Sequence, residues 1–299
     1  MRILVTGFTG QLGYDVAREC IKRGYEVIGS GAEASYDCEV PYRQMDITQA
    51  DEVGRILEEI KPDVVVHCAA WTDVDGAEKA ENREKVMAVN AYGTENIAKA
   101  VSAICAKMIY ISSDYVFNGE GSEPWRPEDE SAPLNVYGAS KLAGERAAEK
   151  WVRKLFVVRT SWVFGINGKN FVKTMLRIGK QRKEVRVVND QVGSPAYTAD
   201  LARLLVDMAE TERYGVYHAA NEGEYISWFD FCEEIYRQAG LKTKVIPVST
   251  AEYGKNLAKR PLNSRMDKSK LRENGFSPLP AWQDALKRYL KELDERHGV

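Results

Sequence analysis

The sequence predicts an α/β fold: a doubly wound parallel sheet of the Rossmann type with a smaller C-terminal α/β lobe. Three observations predict it. Across about the first 160 residues, short apolar runs alternate with amphipathic helical segments. The first of those runs opens straight into a glycine loop at residues 7–13. Beyond Phe164 the pattern changes, and prolines at 195, 247, 261, 278 and 280 punctuate it.

The strand segments are 2–6, 26–30, 64–68, 108–112 and 156–160. They are nearly continuously apolar, which suits strands covered on both faces. Helices are expected over 12–23, 51–60, 90–103 and 139–151. In the second of these, Val53, Ile56, Leu57 and Ile60 fall on one face. Alternation of this kind implies right-handed crossovers and helices on both sides of the sheet. The second half reads as helix 170–180, strand 185–188, helix 199–209, strand 214–219, helix 228–239, strand 244–248 and helix 280–295. Residues 1–163 are expected to form the nucleotide-binding domain and 164–299 an interleaved substrate lobe. Part of 185–220 is expected to return to the first unit.

Composition excludes several functions. The 299 residues are 44% hydrophobic and 29% charged, as in an ordinary globular protein. With 42 Lys and Arg against 44 Asp and Glu, the net charge is -2. A strongly basic nucleic-acid-binding domain or polybasic membrane surface is not expected. The five cysteines, at 20, 38, 68, 105 and 232, have neither C-x-x-C nor zinc spacing. They are read as reduced thiols used as small hydrophobes. No run approaches the roughly 18 apolar residues of a membrane span. The first strand begins at Arg2 with no leader pattern before it. A cytoplasmic protein is expected.

Residues Gly7-Phe8-Thr9-Gly10-Gln11-Leu12-Gly13 form G-x-x-G-x-x-G between a strand and a helix. Gly7 permits the tight turn, Gly10 clears the phosphate approach, and Gly13 lets helix and strand pack closely. Backbone N–H groups and the helix N-terminus would together hold a pyrophosphate. The second strand ends in Gly29-Ser30-Gly31 with no acid; the nearest is Glu33. An acid there would bind the 2′-hydroxyl of NAD. Its absence, with no Arg or Lys in its place, leans the reading towards NADP(H) and leaves NAD(H) open. Ala69 and Ala70 after the third strand suit close approach to a cofactor. Asp46 has a turn cap as its alternative reading.

Tyr137 and Lys141 form Y-x-x-x-K, which puts both on one helical face. An ammonium beside a phenol would lower the phenol's pKa and fit it for proton transfer. Ser113 closes a predicted strand, where ligands of open α/β sheets sit. Ser113, Tyr137 and Lys141 are therefore the candidate catalytic set. Ser113 would polarise a carbonyl, Tyr137 would donate the proton, and Lys141 would bind the nicotinamide ribose.

The loop spacing resembles that of extended short-chain dehydrogenases/reductases. More specifically, 10–13, 68–75, 112–117, 133–138, 159–165, 170–175, 189–193 and 260–264 resemble the dTDP-4-dehydrorhamnose reductase family. The resemblance implies NADPH-dependent reduction of the C4 keto group of dTDP-4-dehydro-6-deoxy-L-mannose to dTDP-L-rhamnose. It implies Gly7, Gly10, Gln11, Leu12, Gly13, Ser30, Asp46, Ile47, Ala69, Ala70 and Trp71 around the cofactor, Asp46 beside the adenine amine. It implies Ser113, Asp114, Tyr115, Trp162 and Arg260 around the dTDP-sugar, with Arg260 suited to a diphosphate.

The chain departs from the pattern at three places. Ser113 stands for the usual Thr, which keeps the hydroxyl. Trp71 stands for a common His and could reshape the pocket, and Cys68 stands for a small residue. Mg²⁺ has been linked to the family, but no carboxylate cluster here demands a metal. A homodimer stays open. The alternatives are another nucleotide-sugar epimerase, dehydratase or reductase, or a non-catalytic subunit resembling the regulatory β subunit of methionine adenosyltransferase.

Overall fold

The structure is a computed structural model, and it describes residues 1–36, 40–254 and 256–297. The first half runs β1 (Arg2–Thr6), α1 (Gln11–Lys22), β2 (Glu26–Gly31), β3 (Tyr42–Gln44), α2 (Ala50–Ile60), β4 (Val64–His67), α3 (Val74–Ala77), α4 (Arg83–Met87), α5 (Thr94–Ala103), β5 (Lys107–Ser113), α6 (Val136–Trp151) and β6 (Leu155–Thr160). The second half runs β7 (Val163–Phe164), α7 (Phe171–Gln181), β8 (Glu184–Val188), β9 (Val192–Gly193), β10 (Ala196–Tyr197), α8 (Thr198–Ala209) and β11 (Gly215–His218). It ends with β12 (Ile226–Ser227), α9 (Trp228–Gln238), β13 (Lys244–Val248), α10 (Thr250–Tyr253), α11 (Ser269–Glu273) and α12 (Trp282–His297).

Among the described residues, seven parallel strands form the main sheet in the order β11-β6-β5-β4-β1-β2-β3. The order reverses between β1 and β4, the switch point at which such sheets bind ligands. Alternation along β1 explains the two-sided core. Ile3 and Val5 pack with Val16 of α1 and Leu201 of α8. Leu4 points the other way, to Val53 and Leu57 of α2 and Ile97 of α5. Val53, Ile56, Leu57 and Ile60 are all buried, as their spacing predicts.

Two expectations are modified. The helix expected over 90–103 begins at Thr94 and is preceded by a π-helical turn, Ala88–Gly93. Such turns concentrate at functional sites, and this one carries the buried Asn90. The cysteines are not uniformly buried hydrophobes. Cys20 and Cys232 are buried, Cys68 is half-buried and Cys105 is exposed; Cys38 lies outside the described residues.

The second half divides its loyalties. β8 pairs with β13 away from the main sheet, and Phe164, Phe231, Trp282 and Tyr289 share a separate core. In contrast, α8 packs on α1 and β11 extends the sheet beside β6. Leu271, Phe276 and Leu279 rejoin the first core, so the chain crosses between the two cores more than once. Gln11 ties them together: its Oε1 accepts from Gly165 N and Asn170 Nδ2, each at 3.0 Å. Among the described residues, no helix is long and apolar enough to cross a membrane.

Candidate active site

A cavity of about 790 Å³ opens at the carboxyl ends of β1, β2, β4, β5 and β6. That is the size range of small-molecule and cofactor sites. At one end lies the glycine loop. Gly7 has φ +63°, and a Cβ there would meet Ala69 N at 2.6 Å. A Cβ on Gly13 would lie 2.3 Å from the Gly7 carbonyl oxygen. The spacing of the glycines thus follows from backbone packed against backbone. Among the described residues, no side chain caps the start of α1 at Gly10. Its first N–H groups and the positive end of its dipole are available to an anion.

Gly10, Gln11, Leu12, Ser30, Asp46, Ile47, Ala69 and Ala70 also line this cavity. Ser30 is fully buried, and its Oγ has no partner among the described residues. A cradle that a Cβ would fill, together with this orphaned hydroxyl, fits a dinucleotide. Asp46 Oδ1 accepts from Thr48 N at 2.9 Å and from its hydroxyl at 2.8 Å, so this oxygen makes the turn. Trp71 does not appear on the wall. Its backbone N–H donates to Asn90 Oδ1 at 2.7 Å, and its indole N–H donates to the Asp73 carbonyl at 2.9 Å. The indole bond holds the Trp71 side chain over the Asp73 backbone.

Ser113, Tyr137 and Lys141 all line this cavity. Asn135 caps α6 by accepting from Gly138 N at 2.8 Å. Gly138 lies so close to the chain after β5 that a Cβ would collide with the Tyr115 carbonyl oxygen. This approach brings Tyr137 beside Ser113, whose hydroxyl favours the charged phenol and partly opposes the effect of burial. Ser113 Oγ also donates to Asp114 Oδ1 at 2.9 Å and accepts from Tyr115 N at 3.1 Å.

The electrostatics differ from the simple Tyr–Lys expectation. Burial, opposed by the Ser113 bond, raises the Tyr137 pKa above its ordinary value. Burial also lowers Lys141 to about 7, against the carboxylate of Glu145. The Lys141 ammonium lies 4.3 Å from the centre of the Tyr110 ring. In the protein alone, desolvation dominates for both groups.

Further residues, invisible to the motif reading, complete the site. Asn90 Nδ2 donates to Ser140 Oγ at 2.9 Å, which anchors the π turn to α6. Glu145, one turn beyond Lys141, holds Arg159 through 2.9 and 2.7 Å bonds in a buried pair. Repetition every four residues from Tyr137 was the available sequence signal for Glu145.

On the other side of the cavity, burial raises Asp114 to about 6, partly offset by the hydroxyls of Ser264 and Ser113. Among the described residues, Asp114 Oδ2 and Thr160 Oγ1 have no partners. Trp162 stands at φ +49°, unusual for a bulky residue. It stacks on Trp228 at 3.7 Å and 14°, and Phe171 packs on Trp228 at 4.6 Å. Tyr115 lines the wall with its ring 5.7 Å from that of Tyr137.

Arg260 does not appear on the wall. It bonds Asp75 at 2.7 Å and the Tyr115 hydroxyl at 3.3 Å. Arg260, expected at a diphosphate, is thus held in an ion pair with Asp75. Among the described residues, no three His, Cys, Asp or Glu side chains gather as a metal site.

The family model described as RmlD substrate binding domain matches residues 1–295. The chain belongs to the RmlD family. Its relatives include dTDP-4-dehydrorhamnose reductase of Escherichia coli (strain K12), 38% identical over 304 residues and covering 98% of each chain. The spore coat polysaccharide biosynthesis protein SpsK of Bacillus subtilis (strain 168) is 38% identical over 291 residues, covering 97% of each. A crystal structure of dTDP-4-dehydrorhamnose reductase from Bacillus anthracis str. Ames, in complex with NADP, superposes with a TM-score of 0.90. It is 41% identical, covering 97% of this chain and 99% of that one. A Thermus thermophilus UDP-glucose 4-epimerase complex with NAD shares the fold at 22% identity, with a TM-score of 0.81 and 100% of both chains covered. The RmlD-family fold of this chain is thus common to reductases and epimerases, and the site must distinguish them.

Proposed function

We propose that this RmlD-family protein reduces the C4 keto group of dTDP-4-dehydro-6-deoxy-L-mannose to dTDP-L-rhamnose. NADPH is the reductant, and NADH, which lacks the 2′-phosphate, is the second candidate. The observation that carries this reading is the convergence of Ser113, Tyr137 and Lys141 in one cavity with the glycine cradle. When bound, the nicotinamide would supply a hydride, a proton with two electrons, to the carbonyl carbon.

The chain's own residues do the rest. Ser113 turns its hydroxyl from Asp114 to the carbonyl oxygen and stabilises the charge that develops there. Tyr137 gives that oxygen its phenolic proton, which completes the alcohol. Its raised pKa keeps this proton in place until the oxygen becomes basic. Lys141 holds the ribose hydroxyls beside the phenol. Asp114, with one free carboxylate oxygen, accepts from sugar hydroxyls, and the Trp162–Trp228 stack offers a flat apolar face.

Residues 1–163 with the returning α8 and β11 would serve as the cofactor unit, and most of the remainder as the substrate lobe. We place the protein in the cytoplasm, acting on a dTDP-sugar without nucleic-acid or membrane partners.

The experiment is Tyr137→Phe. Turnover is expected to fall by about 10²–10⁴-fold, while dinucleotide affinity measured by calorimetry stays within a few fold. Undiminished turnover would remove Tyr137 from the chemistry.

A further inference from the structure

We infer that Thr160 is a second substrate-reading hydroxyl beside Ser113, donating to the sugar hydroxyl on the carbon next to the reacting carbonyl. The inference rests on the keto-sugar reading above and deepens it. For that sugar the group is the C3 hydroxyl, since C5, the other neighbour of C4, bears none.

Thr160 closes β6 as Ser113 closes β5, and the two are register partners in the parallel pair. Partners in register share a face of the sheet. The core agrees: Ile109 of β5 and Phe156 and Val158 of β6, which alternate in step with Ser113 and Thr160, pack together on the α1 and α8 side. The residues on either side of Thr160 are already satisfied. Arg159 points the other way, into its pair with Glu145, and the Ser161 hydroxyl donates to the Ser194 carbonyl at 2.7 Å. Thr160 is only 5% exposed and lines the cavity, yet its Oγ1 has no partner among the described residues.

A buried hydroxyl that bonds nothing costs stability. If packing alone ruled this position, Val would fill it without that cost. Ser112 is the contrasting case. Its hydroxyl is also unpartnered, but alternation turns it to the opposite face from Ser113. Adjacent strands lie about 4.8 Å apart, so a sugar whose carbonyl oxygen meets Ser113 brings its next ring substituent towards Thr160. Asp114 follows Ser113, and its free Oδ2 is an acceptor on the same cavity wall. Thr160 supplies the donor. A hydroxyl both donates and accepts, so it satisfies the two together, whereas a hydrogen in its place leaves both unpaired.

The test measures kcat/KM at saturating NADPH for the wild type, Thr160→Val and Thr160→Ser. The substrates are dTDP-4-dehydro-6-deoxy-L-mannose and its 3-deoxy analogue. Thr160→Val should lose about tenfold on the full sugar and almost nothing on the 3-deoxy sugar. Thr160→Ser keeps the hydroxyl and should stay close to the wild type on both. Without ligand, Thr160→Val should melt no lower than the wild type, because it removes an unpaired buried group. An unchanged value on the full sugar overturns the inference, as does an equal loss on both sugars; in either case the reductase reading stands. A lower melting temperature overturns it by giving the hydroxyl a structural bond, and a weakened NADPH affinity by assigning it to the dinucleotide. If the wild type turns over neither sugar, the reductase reading falls and the inference falls with it.

Discussion

Lys141 and Asp114 bring two unusual titrations into one cavity. Burial leaves the Lys141 amine with a pKa of about 7, so the free protein loses this charge as pH rises through neutrality. If the charged form captures the dinucleotide, kcat/KM for NADPH should fall above about pH 7. A profile flat from pH 6 to 8 would contradict that role. Asp114 titrates in the opposite sense from a paired carboxylate. Its folded pKa, about 6, is raised above the unfolded value. Its contribution to stability is therefore full below about pH 4 and is lost as pH rises through 6. Asp114→Asn should gain on the wild type by on the order of 2 kcal/mol between pH 4 and 7 in denaturant melts; a constant gap across that range refutes the assignment.

Single residues were legible where the backbone demanded them. Gly7 and Gly13 announce themselves because no side chain fits there. The ion pair of Arg260 was not legible, because its partner, Asp75, lies 185 residues away.

At the scale of elements, α6 carries the site. Asn135 caps it, Gly138 seats it, and Tyr137, Lys141 and Glu145 follow at four-residue intervals. The Glu145–Arg159 pair locks this face to β6, with both side chains almost fully buried. Glu145→Gln should cost about 3–5 kcal/mol, since it leaves a buried guanidinium without its counter-charge. A thermal melt close to that of the wild type would show that the pair adds little. The helices and buried strands were legible from periodicity because each hides one stripe or a whole run of apolar side chains. The π turn at Ala88–Gly93 was not. Its extra residue changes backbone bonding without changing hydrophobic spacing enough to be seen. The two-residue strands β7, β9, β10 and β12 were equally silent, since so few side chains carry no period.

At the scale of the molecule, the chain builds one cofactor sheet and one aromatic core and passes between them repeatedly. The return of β11 to the sheet was expected, but that of Phe276 and Leu279 was not. A strand next to another strand leaves a pattern, whereas loop residues that plug a core leave none. Gln11 sits at the crossing and joins the phosphate-binding loop to Gly165 and Asn170. The near-neutral charge balance suits this construction, because local groups and one helix start can hold small anions without a basic surface.

The central claim is that the chain reduces a keto sugar with net consumption of cofactor. The most direct measurement incubates the protein with NADPH and dTDP-4-dehydro-6-deoxy-L-mannose and follows both nicotinamide oxidation and the sugar product. One dTDP-L-rhamnose formed per NADPH oxidised is the predicted result. Sugar conversion without net NADPH loss, or no turnover by a folded protein that binds the dinucleotide, would contradict it.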